Sequence, residues 1–400
     1  MHPSFRRYRT VAATLIAAAT LSGCAGHGNY TTEHKNNAEN RLAEIKAATN
    51  YDMAHQRYVA GDLQKALDAI EDSIAYKEDV AKSHVLQGRV LFEMGRDEAA
   101  IQSFARATEL DPTNAEAQYY SGMVMERFSQ PQDAFAYYSR AMELNATDPQ
   151  YTLASAEMLI ELNRLDEAEQ LLVGGASNFR HNAGMHQTLG HVAQMRGDNN
   201  RAIEEFRQAC LLAPDDTALI EDLARAQINA GQYADGEYNL RRILKTPAGK
   251  DRRDLTQLQA KCLVQLDRPV EARSILLQLV KDEQGVNDFQ TWSELGNVSI
   301  ILKDETRLRD AASRLVAIAP NRVEGYLLMA MYQRAKGQPE QALLTVDQAI
   351  AKAGRNAEAY MLKAIICDEL GRPEDARIAS AAARQIRAAH TSTVAGVNPD

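Results

Sequence analysis

The sequence predicts an all-α protein in which one short helix-turn-helix unit recurs about ten times. A small residue returns with a period of 34 residues, as at Ala66, Ala100 and Ala134. Another small residue stands twelve positions before each of these, as at Ala54 and Gly88. Aromatic residues make up only 6% of the chain, which argues against a single wide, aromatic-rich core. A helix pair cannot bury its apolar face alone, so consecutive units are expected to stack into one array.

The first 23 residues are predicted to be a secretory signal and not part of the fold. Arg6, Arg7 and Arg9 precede an uncharged apolar run over residues 11–21. This run is too short to span a bilayer, which needs about 20 residues. A basic start, a short apolar run and small residues at the junction are typical of a secretory signal.

The junction Leu21-Ser22-Gly23-Cys24 resembles the lipobox of bacterial lipoproteins. The resemblance implies cleavage before Cys24 and lipidation of that cysteine, so that several acyl chains hold the protein at a membrane. Ala25 follows the cysteine. The absence of aspartate at that place favours the outer membrane, with the protein facing the periplasm. Residues 24–31 are then a short lipidated tether.

Each predicted unit consists of two antiparallel helices joined by a tight turn. Gly61 and its equivalents allow the left-handed backbone that ends a first helix. In two units Asn163 and Asp267 take the place of this glycine. The recurring small residues let the two helices approach closely, with larger residues at the neighbouring positions. Prolines such as Pro112 and Pro214 end second helices, because proline cannot continue a helix.

The array is predicted to cover residues 47–390 as ten units. Its spacing widens from 34 to 36 residues at the two junctions that flank the seventh unit. Residues 32–46 are predicted as a helical extension that leads into the array, and residues 391–400 as a disordered tail. One continuous array therefore replaces the two or three domains that the chain length alone suggests.

The pattern resembles the tetratricopeptide repeat family, whose signature holds Trp, Leu-Gly, Ala, an aromatic residue, Ala and Pro at fixed offsets. Two units match this signature well, one with Trp292, Leu295, Gly296 and Pro320, the other with Gly88, Ala100, Phe104, Ala107 and Pro112. The resemblance implies a right-handed α-solenoid. It also implies a concave face, lined by set positions of each first helix, that binds proteins or peptide segments.

Those family positions, carried onto this chain, predict a partner-binding groove. Its first part is rich in aromatic residues and Met with interleaved arginines, which are typical anchors at protein interfaces, and its middle is rich in amides. The alternative is that Tyr58, Phe92 and Met123 only pack between adjacent helices. The candidate groove residues are Tyr51, His55, Tyr58, Arg89, Phe92, Tyr119, Met123, Arg127, Gln187, His191, Arg225 and Asn229.

The sequence contains no motif of catalysis, metal binding or cofactor binding. It lacks His-Glu-x-x-His, Gly-x-Ser-x-Gly, Cys-x-x-Cys and a Gly-rich phosphate loop. The histidines within 181–191 are five residues apart, or about 140° around a helix, so they cannot converge on a metal. Cys210, Cys262 and Cys367 fall in units too far apart for a disulfide, which predicts three free thiols. The net charge of −9 argues against a nucleic-acid partner.

The sequence thus predicts a non-catalytic, lipid-anchored scaffold of the bacterial envelope that holds envelope proteins or peptide segments in its groove. By its resemblance to bacterial lipoproteins of this build, we expect it to support assembly of a tight-adherence or type IV pilus or of a secretin. Two alternatives stay open. One is an adaptor for peptidoglycan hydrolases or for outer-membrane assembly, and the other is an accessory subunit of a polysaccharide or glycosyl-transfer system.

Overall fold

The computed structural model describes residues 29–176, 181–353 and 356–395. Within these ranges it contains twenty α-helices, one short 3-10 helix and no strand, which confirms the predicted all-α fold. The chain divides into two compact units, residues 1–180 and 181–400, which we call the N-terminal and C-terminal units. The predicted signal and Cys24 lie outside the described residues.

The N-terminal unit holds eight described helices that form four antiparallel pairs. They are α1 (Asn29–Val59), α2 (Leu63–Tyr76), α3 (Ala81–Glu93), α4 (Asp97–Leu110), α5 (Ala115–Arg127), α6 (Pro131–Leu144), α7 (Pro149–Glu161) and α8 (Leu165–Ala176). The odd-numbered helix of each pair is the first helix of a repeat. Within this unit, each pair packs against the next one along the chain.

The C-terminal unit holds twelve described helices in six pairs. They are α9 (Ala183–Met195), α10 (Asn199–Leu212), α11 (Thr217–Asn229), α12 (Tyr233–Leu244), α13 (Arg253–Gln265), α14 (Pro269–Leu279), α15 (Phe289–Ile301), α16 (Glu305–Ile318), α17 (Val323–Ala335), α18 (Pro339–Ala353), α19 (Ala357–Glu369) and α20 (Pro373–Ala395). The 3-10 helix Gly285–Asn287 fills the longer junction before α15.

The turn inside every pair contains one residue with left-handed backbone, at spacings of 34 or 36 residues. Six of these residues are glycines, as at Gly95 (φ +72°). Asn163 and Asp267 adopt the same conformation, as the sequence predicts, and so do Ser129 and Lys303, which were not anticipated. The backbone therefore shows the repeat period independently of residue type.

Close packing within a pair explains the small residues of the first helices. A methyl group on Gly122 would lie 2.5 Å from Cε1 of Tyr138, and one on Gly190 would lie 2.6 Å from Cε1 of Phe206. Gly88 faces Phe104 in the same way. All three rings are almost fully buried. The ring of the second helix thus occupies the space that a side chain on the first helix would need.

Both outer ends of the described helices differ from the predicted boundaries. Helix α1 begins at Asn29, inside the predicted tether, and runs without a break through residues 32–46. Helix α20 continues to Ala395, into the segment 391–400 that was expected to be disordered. No glycine or proline interrupts either stretch, and α20 is rich in alanine, the best helix former.

The wider junction between α14 and α15 is held by Arg253 at the start of α13. The guanidinium group donates hydrogen bonds to the Leu279 carbonyl oxygen (2.9 Å) and to carboxylate oxygens of Asp282 (2.5 Å) and Asp288 (2.9 Å). It also donates to the hydroxyl oxygen of Thr291 at 3.1 Å. Only 19% of its side chain is exposed. One arginine therefore joins three helices where the repeat lengthens.

Asp288 makes the stability of this junction depend on pH. Burial acts to raise its pKa, but hydrogen bonds from Thr291 and Arg253 outweigh burial, so the pKa lies below its usual value. The stabilisation is therefore complete above the unfolded pKa of about 3.9 and is lost as pH falls through the lower folded value. We expect urea unfolding to show that Asp288→Asn destabilises the chain more at pH 7 than at pH 3. An equal loss at both pH values would contradict this.

Candidate partner-binding surfaces

In the N-terminal unit the predicted groove begins with Tyr51 and His55 on α1. Tyr51 is half-buried, and the ammonium group of Lys82 lies 4.4 Å from the centre of its ring. The rings of Tyr51 and His55 are stacked with centres 6.5 Å apart. Burial raises the pKa of the Tyr51 hydroxyl. His55 is exposed, so it is open to a partner.

Arg89 on α3 lies between two tyrosine rings. Its guanidinium carbon is 4.9 Å from the ring centre of Tyr58 and 5.1 Å from that of Tyr120. Its Nη1 donates to Glu116 at 2.9 Å, while its buried Nε has no hydrogen-bond partner among the described residues. Burial raises the pKa of Tyr120 to about 12. These contacts join α1, α3 and α5, so Arg89 and Tyr58 contribute to packing between repeats.

Phe92 and Arg127 also contact each other. Phe92 is buried, with 7% of its surface exposed. The Arg127 guanidinium lies 3.5 Å from the ring centre and donates to the Phe92 carbonyl oxygen at 2.9 Å. It also donates to Asp97 at 2.6 Å. The interpretation that Phe92 packs between helices therefore matches its place in the structure.

Tyr119 on α5 lies at the centre of a cluster of tyrosines. Its ring centre is 5.6 Å from that of Tyr120, 5.4 Å from that of Tyr138 and 5.1 Å from that of Tyr151. Met123 packs against the same cluster. The Tyr138 hydroxyl donates to Glu126 at 2.7 Å, and burial together with this bond raises the pKa of Tyr138 well above its usual range.

The sequence analysis singled out Tyr119 but not its three ring neighbours. Tyr138 could have been found, because it stands at the aromatic position of the repeat signature, as Phe104 and Phe206 do. Tyr120 and Tyr151 carry no such signal. Partner binding by the groove residues of this unit stays a prediction.

In the C-terminal unit, Gln187 and His191 on α9 meet Asp222 on α11. The Gln187 amide donates to Oδ2 of Asp222 at 2.8 Å, and Nε2 of His191 lies 3.5 Å from the same oxygen. The rings of His191 and Phe206 lie at 71° to each other, with ring centres 5.0 Å apart. Burial acts to raise the pKa of Asp222, but the bonds from His191 and Gln187 outweigh it, so the pKa is lowered.

Arg225 on α11 belongs to a second polar network. It lies 2.7 Å from Oε1 of Glu221 and 3.6 Å from Oδ2 of Asp254. Arg252 contacts the same two oxygens at 3.1 Å and 2.7 Å. Asn229, the last predicted groove residue, is exposed. The middle of the predicted groove is thus a set of charges that neutralise one another.

The structure reveals exposed apolar residues on later first helices that the sequence analysis did not single out. Ile301 on α15 is 53% exposed, and Met361 and Ile365 on α19 are 40% and 43% exposed. Ile365 stands at the repeat position of Arg89, and Met361 at that of Tyr51. Carrying every family position onto the last three units would have found them.

Two clefts lie beside α15. One, of about 150 Å³, lies between α13 and α15 and is lined by Lys261, Val264 and Ile301 among others. The other, of about 530 Å³, is lined by residues of α15, α16, α17 and α19, among them Ile300 and Met331. Both clefts lie within the C-terminal unit.

The part of the chain that the structure describes also bears on other kinds of site. No group of His, Cys, Asp and Glu there has the arrangement of a metal site. None of the described helices combines the length and apolar character needed to cross a bilayer. Cys210, Cys262 and Cys367 are free thiols, and burial raises the pKa of Cys262 to about 11.

Four stretches of the chain match models of a known family. Residues 88–127 match the model described as TPR repeat. Residues 128–189, 183–216 and 327–390 match models described as tetratricopeptide repeat. These stretches lie in both units; residues 183–216 coincide with the pair α9 and α10, and the other three begin or end within a pair.

Among curated proteins, DnaJ homolog subfamily C member 7 of Homo sapiens is 26% identical over 208 residues, covering 48% of this chain and 42% of that protein. The chain spans less than half the length of the curated relatives that it matches. A solved tetratricopeptide repeat protein from Parabacteroides merdae is 12% identical with a TM-score of 0.45, covering 80% of this chain and 99% of that one. For PilF of Pseudomonas aeruginosa the identity is 19% and the TM-score 0.44, covering 51% and 92%.

Proposed function

Because this chain belongs to the tetratricopeptide repeat family, we propose that it is a non-catalytic scaffold that binds other proteins of a bacterial envelope. The supporting observation is that first helices carry exposed apolar side chains, such as Ile301 and Ile365, at repeat positions that line the family's binding face. Exposed contiguous apolar residues on a folded protein are typical of interaction sites. The polar networks around Asp222 and Arg225 give the neighbouring surface its mixed charge.

The scaffold is proposed to be held at the outer membrane, facing the periplasm, by acyl chains on Cys24. The proposal is supported by the short apolar run, the small residues before the cysteine and the absence of aspartate after it. We expect metabolic labelling with a tagged fatty acid to mark the full chain and to fail for Cys24→Ser. The variant should also leave the membrane fraction. Labelling of the variant, or its unchanged fractionation, would count against lipidation at this residue.

We propose that the scaffold supports assembly of an envelope machine such as a tight-adherence or type IV pilus or a secretin. This rests on the sequence resemblance to bacterial lipoproteins of the same build. The test is crosslinking in cells that express the tagged full chain, followed by mass spectrometry of the envelope fraction. Pilus or secretin components should be enriched over cells that express an untagged chain. Recovery of wall hydrolases instead would support the adaptor alternative, and recovery of no envelope protein would contradict a scaffold role.

A further inference from the structure

We infer that a surface of the C-terminal unit, formed by three adjacent first helices, binds a positively charged amphipathic helix of the partner protein. We call this surface the terminal groove and define it by Ile300, Ile301, Met331, Met361 and Ile365. The inference rests on the proposed scaffold function, since it identifies where a partner binds and what chemistry it presents.

The apolar residues of the terminal groove stay open to solvent. Ile300 and Ile301 are 36% and 53% exposed on α15, and Met361 and Ile365 are 40% and 43% exposed on α19. Met331 on α17, the helix between them in the chain, is half-buried and lines the larger cleft. At the repeat position of Met361 the N-terminal unit holds Tyr51, whose ring is half-buried and covered by Lys82. Val59 and Met195, at the repeat position of Ile301, are also exposed (72% and 54%), but α15 and α19 each present two exposed apolar residues of the terminal groove.

The spacing of these residues suits a helical ligand. Met361 and Ile365 are one helical turn apart, so both project from the same face of α19. The cleft of about 530 Å³ has residues of α15, α17 and α19 on its walls, which places the three helices around one depression. An amphipathic helix buries its apolar stripe in such a groove through anchors at positions i, i+3 or i+4, and i+7.

The charges beside the apolar residues favour a basic ligand. Glu358 and Asp368 share the exposed face of α19 with Met361 and Ile365, and neither makes a salt bridge within the described residues. Glu369 lies 2.6 Å from Nη2 of Arg334, which neutralises that arginine.

The cations of the same surface do not neutralise the carboxylates of Glu358 and Asp368. Lys303 is exposed at the end of α15 and lines the larger cleft, while Lys336 is paired with Glu305. The two carboxylates of Glu358 and Asp368 thus outnumber Lys303, the one lysine of the described chain that lines the larger cleft. Charge complementarity then selects a partner helix with basic residues flanking its apolar stripe and speeds its encounter at low salt.

The test measures binding of a labelled 18-residue Leu/Lys amphipathic helix to the purified full-length chain in a non-ionic detergent, by fluorescence anisotropy. A Leu/Glu peptide with the same apolar stripe and a scrambled Leu/Lys peptide are the matched probes. We expect the Leu/Lys helix to bind at least about tenfold more tightly than either probe. The double variant Ile301→Gln with Ile365→Gln should lower its affinity about tenfold or more.

The matched control is Leu344→Gln with Ile378→Gln, two residues on second helices that are 65% and 58% exposed. This variant should bind as the unaltered chain does. Glu358→Gln with Asp368→Asn should weaken binding about threefold to tenfold at low salt and less at high salt. Equal binding of all three peptides, or equal loss in the Leu344 and Ile301 variants, would overturn the inference.

A second measurement separates failure of this inference from failure of the scaffold role. A photoreactive amino acid is placed in cells at Ile365 or at His55, the exposed groove residue of α1. Crosslinks at Ile365 to a segment with a basic amphipathic pattern support the terminal groove. Crosslinks at His55 alone keep the scaffold role and overturn the terminal groove. No protein crosslink at either place contradicts both.

Discussion

Replacing Phe104 by alanine is expected to lower the free energy of unfolding of the N-terminal unit by about 3–5 kcal/mol. The ring is fully buried between α3 and α4, faces Gly88 and is stacked on Tyr120 with ring centres 5.7 Å apart. Its removal leaves a cavity between the two helices, because the Phe104 ring alone fills the space next to Gly88. Amide hydrogen exchange of peptides from α3 to α6, read by mass spectrometry, measures the local loss.

The Phe104 variant has a matched control and a coupling test. Phe128→Ala removes a ring that is 38% exposed and should cost about 1 kcal/mol or less. Gly88→Ala alone should destabilise the pair, because its methyl group overlaps the Phe104 ring. In the double variant Gly88→Ala with Phe104→Ala, the new methyl group occupies part of the cavity. The loss in free energy of unfolding should therefore be smaller than the sum of the losses in the two single variants. If the two losses in free energy of unfolding simply add, the side chains at positions 88 and 104 do not occupy one shared space.

Replacing Arg253 by methionine is expected to destabilise the C-terminal unit by about 3–5 kcal/mol. Methionine keeps the apolar stem but leaves Asp288 and Thr291 without their cationic partner and the Leu279 carbonyl oxygen without its donor. The loss should appear as faster hydrogen exchange in α13, α14 and α15. Arg253→Lys keeps the charge but not the planar fork of donors, so it should restore only part of the stability.

The adjacent arginine supplies the control for this prediction. Arg252 contacts Glu221 and Asp254, but 42% of its side chain is exposed. Surface ion pairs contribute about 0–1 kcal/mol, so Arg252→Met should change the free energy of unfolding by no more than that. Equal losses for Arg252→Met and Arg253→Met would show that Arg253 does not join the helices of the lengthened junction.

Much of the fold could be predicted from the sequence because its determinants are local. Glycine at a helix end and a small residue opposite a ring leave a periodic record that needs no knowledge of distant contacts. Ser129 and Lys303 could not be predicted as left-handed, because neither residue type favours that backbone. Packing of the two helices on either side holds them there. Helix α20 continues past residue 390, where the array was expected to end. Residues 391–394 are Thr, Ser, Thr and Val, none of them a strong helix former, so this continuation could not be predicted from residue type.

The candidate site was less predictable, because exposure is decided by neighbouring helices. Family positions place Phe92 and Ile365 on first helices but do not tell which of them is covered. Phe92 is covered because Arg127, from the next first helix, lies on its ring. Ile365 has no such cover and is 43% exposed. Attention to aromatic residues therefore favoured the N-terminal unit and missed the exposed apolar residues of α15 and α19.

The pairing of a glycine on one helix with a ring on the next restricts how the length of this chain can change during evolution. One residue inserted between Gly122 and Tyr138 would rotate everything after it by about 100° and turn the ring away from its glycine. We expect insertions to be tolerated between pairs, and the chain lengthens there at 280–288. In that junction the Trp292 indole donates a hydrogen bond to the Gly285 carbonyl oxygen at 3.1 Å, which holds the longer segment in place. Growth or shrinkage of this array by recombination should therefore proceed in whole helix pairs.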